Sequence, residues 1–254
     1  MVLQGQHALV TGGGRGIGRA IAAALTEAGA GVTVVGRSEA ALKDAVAKGD
    51  AEAYAVADVT DETTLGTEVR RAADARGAID ILVANAGGAD SAPFLKTAPD
   101  QFRRMFELNL MGTVHAVRAV LEDMLARRNG RIIAIASTAG LKGYAYVSGY
   151  CAAKHAVVGL VRALAAETAR SGVTVNAVCP GYTDTDLMRD SLARIVARTG
   201  RPREDVLAEM LEAGAQRRLV QPQEISAAVL QLCSAEAATL TGTTLVVAGT
   251  DRDG

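Results

Sequence analysis

The sequence predicts a single α/β domain, 1–254, built on one doubly wound parallel sheet with helices on both faces. Three observations predict it. Short β-rich runs alternate regularly with longer amphipathic helical patterns. Aromatics are only 3% of the residues, so the core must come from Ala, Val, Leu and Ile, as in parallel sheets covered by helices. The strand-like runs end, one after another, in Gly, Asp, Asn or Ser, the rim where open α/β sheets bind ligands.

The elements follow in order. HALVT (7–11) leads into a glycine cluster and the helical RAIAAALTEAG, and VTVVG (32–36) into EAALKDAVAKG. AEAYAVAD (51–58) precedes ETTLGTEVRRAADARG, and IDILVANAG (79–87) precedes one long helical pattern from Pro99 to Arg128. RIIAIAS (131–137) is followed by the helix containing YCAAK, and VTVNAVCPG (173–181) by a long charged helical segment. QEISAAVLQLCSA and a last strand, TTLVVAG, complete the pattern, with no linker, repeat or low-complexity stretch. The strand ends carry Thr11 and Gly12, Gly36 and Arg37, Asp58, Asn85 to Gly87, Ser137, and Pro180 with Gly181.

A formal charge of −1 offers no global attraction to nucleic acid or to an anionic membrane. The three cysteines are odd in number and far apart, which argues against a disulfide framework or zinc knuckle and for a reducing cytosol. No export signal or membrane span is expected. His7, His115 and His155 have no metal-like partners at useful spacing, so no metal site is expected.

TGGGRGIG, residues 11–18, joins the first strand to the first helix. Glycines there let the backbone approach a pyrophosphate, whose charge is stabilised by the amides and dipole of the helix N-terminus. Gly12, Gly14, Arg15, Gly16, Ile17 and Gly18 are therefore candidate cofactor contacts. The second strand ends in Gly36 and Arg37, where NAD-binding folds place an acidic residue on the adenosine ribose. A guanidinium there, with Arg15 nearby, suits a 2′-phosphate and favours NADP(H).

Tyr150 and Lys154 stand at i and i+4, one turn apart on a single helical face. Tyrosine's unperturbed pKa of about 10 makes it a poor proton shuttle near neutrality. A cation about 5 Å away, at an effective dielectric near 20, favours the phenolate by roughly 3 kcal/mol, about two pKa units. Ser137, at the end of the fifth strand, can bring its hydroxyl beside the same phenol and hold a carbonyl or alkoxide oxygen. The three side chains together describe a carbonyl-reducing site.

TGGGRGIG, Asp58, the NAG of Asn85, Ala86 and Gly87, Asn109 in ELNLMGT, Ser137, YCAAK, and Pro180 with Gly181 occur in that order along nearly the whole chain. This ordered set resembles the short-chain dehydrogenase/reductase family, 3-oxoacyl reductase-like members in particular. The resemblance implies a Rossmann-type sheet of about seven strands in the order 3-2-1-4-5-6-7. It implies Tyr150 as acid in reduction and base in oxidation, Ser137 orienting the substrate oxygen, and Lys154 binding the nicotinamide ribose and lowering the phenol pKa. Asn109 would help hold a water relay to Lys154. Asp58 and Val59 would meet the adenine, Asn85 to Gly87 would line the groove, and Pro180, Gly181, Thr183 and Thr185 would complete the cofactor site. It further implies self-association into a tetramer or dimer.

Residues of about 182–220 correspond to a substrate lid. Leu187, Met188, Leu192, Ile195 and Val196 lie there at helical spacing, either to line a pocket for a hydrophobic ketone or acyl chain or simply to pack the helix pair. Arg127, Arg128, Arg170, Arg217 and Arg218 suggest an anionic coenzyme A or carrier-protein handle, but arginines near helix ends also complement the helix dipole. The chain ends VVAGTDRDG, where many relatives have a strand and an Asp-Gly-Gly turn. The expected function is NADP(H)-dependent interconversion of a small-molecule ketone and a secondary alcohol, with 3-oxoacyl thioester reduction the most familiar subtype. A non-catalytic NADP(H) sensor is the alternative.

Overall fold

The computed structural model describes residues 2–250. The last four residues of VVAGTDRDG lie outside the described residues.

Seven strands form one parallel sheet in the order β3-β2-β1-β4-β5-β6-β7. They are β1 (His7–Thr11), β2 (Gly31–Gly36), β3 (Ala53–Val56), β4 (Ile81–Ala84), β5 (Gly130–Ile135), β6 (Val173–Pro180) and β7 (Thr244–Val247). This is the strand order that the family resemblance implied. Helices α1 (Gly16–Glu27), α2 (Glu39–Ala47) and α9 (Pro222–Cys233) cover one face, and α3 (Glu62–Arg76), α5 (Gly112–Arg127) and α6 (Ser148–Thr168) cover the other. Alternation along each strand feeds both cores: Leu9 packs toward α5 and α6, while Ala8 and Val10 pack toward α1 and α9. Every residue of β1, β4 and β6 is buried, and all but His7, Thr11, Thr174 and Asn176 of them are apolar.

The single long helix expected from Pro99 to Arg128 is interrupted. Helix α4 (Pro99–Phe106) runs into a π-helical turn, Glu107–Met111, before α5 begins. A π turn widens the helix and displaces its carbonyls from their usual amide partners. Side chains cover two of them: Asn109 Nδ2 donates to the Met105 carbonyl at 3.0 Å, and Thr113 Oγ1 donates to the Asn109 carbonyl at 2.9 Å.

The residues of the expected lid form α7 (Asp186–Thr199) and α8 (Arg203–Gly214). Their base is tied down by a short parallel bridge between Thr183 and Val220. Among the described residues no helix is long and apolar enough to cross a membrane.

Candidate active site

The chain turns from β1 toward β2 and β3 in one direction, then from β4 onward in the other. The crevice between the carboxyl ends of β1 and β4 is thus the topological switch point. Thr11 closes its floor: Thr11 Oγ1 accepts from the amides of Asn85 at 3.0 Å and Ala86 at 3.1 Å, and Asn85 Nδ2 donates to the Thr11 carbonyl at 2.9 Å. Asn85 is therefore a brace for the crevice before it is a groove lining. Thr11 was expected on the rim as the end of the first strand, not as the brace that closes the crevice.

The glycine loop fits a pyrophosphate on two counts. Gly12 has φ +66°, and a β-carbon on Gly18 would lie 2.3 Å from the Gly12 carbonyl oxygen, so the loop holds this shape only with glycine there. The N-terminus of α1 has no side-chain cap and no acidic residue in its first turn, which leaves its amides free for an anion. Thr185, the N-cap of α7, faces this loop, its methyl 3.5 Å from where a β-carbon on Gly16 would be. The loop after β6 containing Gly181, Thr183 and Thr185 thus meets the glycine loop across the crevice, while Pro180 closes the strand before it.

At the ends of β2 and β3 Arg37 Nη1 lies 3.6 Å from Asp58 Oδ2. Burial alone would raise the Asp58 pKa, but hydrogen bonds from the Thr60 amide (3.0 Å) and hydroxyl (2.9 Å), with the charge of Arg37, bring it below the usual value. A fixed carboxylate beside an exposed guanidinium suits an adenine amine next to a phosphate. Arg15 is exposed as well. Val59 is buried in the core, its carbonyl is held by His115 Nδ1 at 2.9 Å, and a β-carbon on Gly112 would lie 2.7 Å from its side chain. Only its backbone amide remains for a ligand.

The catalytic candidates meet at the ends of β5 and β6. Ser137 caps a 3-10 turn, Thr138–Gly140, by accepting from the Ala139 amide at 3.1 Å. Its own proton points no closer than 3.5 Å to the Pro180 carbonyl, a marginal bond that a substrate oxygen can replace. Tyr150 sits in the first turn of α6, half-buried, near enough to Ser137 for that hydroxyl to act on its phenol. Lys154 is buried, donates to the Ile135 carbonyl at 2.8 Å, and stands 5.8 Å from the centre of the Tyr150 ring.

The electrostatics differ from the sequence expectation in sign. Burial pushes the Tyr150 phenol up to about 12, with the Ser137 hydrogen bond opposing it, and burial pushes the Lys154 ammonium down to about 8. Desolvation disfavours both charged forms, and it outweighs the two-unit lowering expected from the ammonium. The ammonium shares its protons with Ile135 and lies over the ring instead of at its oxygen.

Asn109 is fully buried. Its side chain is bonded on both polar atoms to Gly88, Oδ1 accepting from the Gly88 amide at 3.2 Å and Nδ2 donating to the Gly88 carbonyl at 3.0 Å. Gly87 lies between it and the lysine: a β-carbon there would be 2.6 Å from Asn109 Oδ1 and 3.5 Å from Lys154 Nζ. The structure gives the Asn109 side chain a bracing part, holding the loop after β4 against the lysine.

Two further residues shape the site. The Tyr182 ring meets Tyr144 edge-on, centroids 5.8 Å apart at 84°, and Tyr144 shares a 2.8 Å hydrogen bond with Thr138, next to Ser137. Gln216, buried, accepts from the Tyr182 amide at 2.7 Å and donates to its carbonyl at 3.1 Å, closing the loop that carries α7 and α8. A glutamine 34 residues away in a charged stretch gives no sequence signal for this. Of the expected apolar lid residues, Met188 and Leu192 are buried and Leu187 is exposed. His7, His115 and His155 are hydrogen bonded in place, and the three cysteines are buried. Among the described residues none are grouped to hold a metal ion.

The family model for short chain dehydrogenase matches residues 6–195. Oxidoreductase UcpA of Escherichia coli (strain K12) is 36% identical over 253 residues, covering 97% of this chain and 94% of that protein. The 3-oxoacyl-[acyl-carrier-protein] reductase FabG of Vibrio harveyi is 38% identical, covering 98% of each. The structure of a variant of actinorhodin polyketide ketoreductase with NADPH superposes with a TM-score of 0.90 at 34% identity, covering 96% of each chain. With the crevice, the open helix terminus and the Ser137, Tyr150 and Lys154 cluster on one rim, these likenesses lead to one conclusion: the chain belongs to the short-chain dehydrogenase family of oxidoreductases.

Proposed function

We propose that this protein is an NADP(H)-dependent oxidoreductase that interconverts a ketone and a secondary alcohol, with Tyr150 as the acid and base. The observation that carries the reading is the meeting of Ser137, Tyr150 and Lys154 on the rim of the crevice that the glycine loop opens. When bound, the nicotinamide supplies the hydride in reduction and accepts it in oxidation. The residues of the chain manage the proton. A phenol held neutral by burial is in the right form to donate to a carbonyl oxygen. Ser137 donates a hydrogen bond to the same oxygen, and the Lys154 ammonium stabilises the phenolate left behind. Arg37 and Arg15 would hold the 2′-phosphate, and the free amides of α1 the pyrophosphate.

The likeness to 3-oxoacyl-[acyl-carrier-protein] reductases supports a 3-oxoacyl thioester as one subtype of substrate. The reading also includes a cytosolic setting and a homotetramer or dimer, to be checked by sedimentation. Tyr150→Phe is the direct test: NADPH still quenches or shifts fluorescence on binding, while turnover on a carbonyl panel is lost. Turnover at the wild-type rate would overturn the mechanism.

A further inference from the structure

Aromatic residues are rare in this chain, yet of its five tyrosines Tyr144, Tyr150 and Tyr182 gather at one place. Each ring is fixed by a different device. Tyr150 is held by α6, and Tyr144 by its hydroxyl on Thr138. Tyr182 is held by its backbone, whose amide and carbonyl are both bonded to Gln216, with the Val220 amide adding a 2.9 Å bond to the same carbonyl. Lys142 reinforces the arrangement: its ammonium lies 5.0 Å over the Tyr144 ring and donates to the Ala213 carbonyl at 3.0 Å, anchoring α8.

The Tyr182 hydroxyl has no hydrogen-bond partner among the described residues, whereas that of Tyr144 is tied to Thr138. Tyr182 is close enough to Tyr150, Tyr144 and Cys151 for their charges to act on it, and burial with those neighbours pushes its pKa up to about 12. It is thus a firmly neutral donor, half-buried beside the reacting phenol. A donor with no protein partner is open to a ligand oxygen, and a rigid ring offers contact area at little entropic cost.

We infer that Tyr182 is a specificity-determining residue, packing with Tyr144 against a ring-bearing ketone and donating its hydroxyl proton to a second oxygen on that substrate. This rests on the carbonyl-reducing reading above and narrows it: a cyclic ketone with a second oxygen is preferred to a straight acyl chain. A flexible chain needs no edge-on aromatic wall, and its thioester gains nothing from a donor locked in place by Gln216.

The test measures kcat and KM with NADPH for the wild type, Tyr182→Phe and Tyr182→Leu. The probes are cyclohexanone, the better of cyclohexane-1,2-dione and cyclohexane-1,4-dione, and acetoacetyl-coenzyme A. NADPH binding by fluorescence confirms that each variant is folded. The wild type is expected to favour the dione over cyclohexanone by about tenfold in kcat/KM, the value of one hydrogen bond. Tyr182→Phe brings the preference down to about the statistical factor of two for two equivalent carbonyls, mainly through KM. Tyr182→Leu weakens both ring substrates and leaves acetoacetyl-coenzyme A the better one. An unchanged preference in Tyr182→Phe, a wild type that favours acetoacetyl-coenzyme A, or no turnover of any ring ketone would overturn the inference. Tyr150→Phe separates the two levels. If it is inactive on every probe that the wild type turns over, the underlying chemistry stands whatever Tyr182 does; if it is fully active, both fail.

Discussion

Lys154 donates its ammonium proton to the Ile135 carbonyl at 2.8 Å, joining the helix that carries Tyr150 to the end of the strand that leads to Ser137. One buried cation thereby sets the spacing of the two groups expected to flank a substrate oxygen.

That cation is buried at a cost that varies with pH. Its pKa in the folded protein, about 8, lies below the ordinary 10.5. Between those values the unfolded chain binds more protons than the folded one, so stability rises with pH across the window. Lys154→Met removes the titration. In urea unfolding without cofactor, the wild type should gain up to about 3 kcal/mol relative to the variant between pH 8 and 10.5. A difference that stays level over that range would show that the ammonium is not desolvated.

Gly18→Ala forces a β-carbon to within 2.3 Å of the Gly12 carbonyl oxygen, a backbone atom that cannot rotate away. The loop has to shift, at about 1–3 kcal/mol of stability. Isothermal titration should find NADPH binding weakened by more than tenfold.

Arg37 is exposed except for its 3.6 Å approach to Asp58. Arg37→Glu replaces a donor fork by a like charge for a 2′-phosphate. KM for NADPH should rise by about tenfold or more, with KM for NADH changing far less. Equal effects on both cofactors would place the phosphate elsewhere.

Gln216→Leu keeps the volume and takes this partner from the amide of Tyr182. An orphaned donor there costs about 1–3 kcal/mol. Opening at the base of α7 and α8 should show as faster trypsin cleavage between residues 186 and 214 and a raised KM for the carbonyl substrate. Global unfolding by urea should change less than the local cleavage rate.

The sheet was legible in the sequence because each element is a local pattern. The unbroken apolar run of β4 and the mostly apolar runs of β1 and β6 report burial on both faces, and the glycines after β1 report a backbone that must turn and approach another backbone. Tyr150 and Lys154 were legible as a pair because helical spacing alone puts them on one face. The break at Asn109 was not, since a π turn leaves the apolar spacing of α4 and α5 intact.

By itself the sequence determined the α/β alternation, the rim on which the site lies and the residues that end each strand, all consequences of periodicity and of chain neighbours. Only the tertiary structure decided the burial that shifts Tyr150, the partnership of Tyr182 with Tyr144, and the hold of Gln216 on Tyr182. Desolvation and hydrogen-bond closure are sums over atoms from distant segments. No spacing within one segment encodes them.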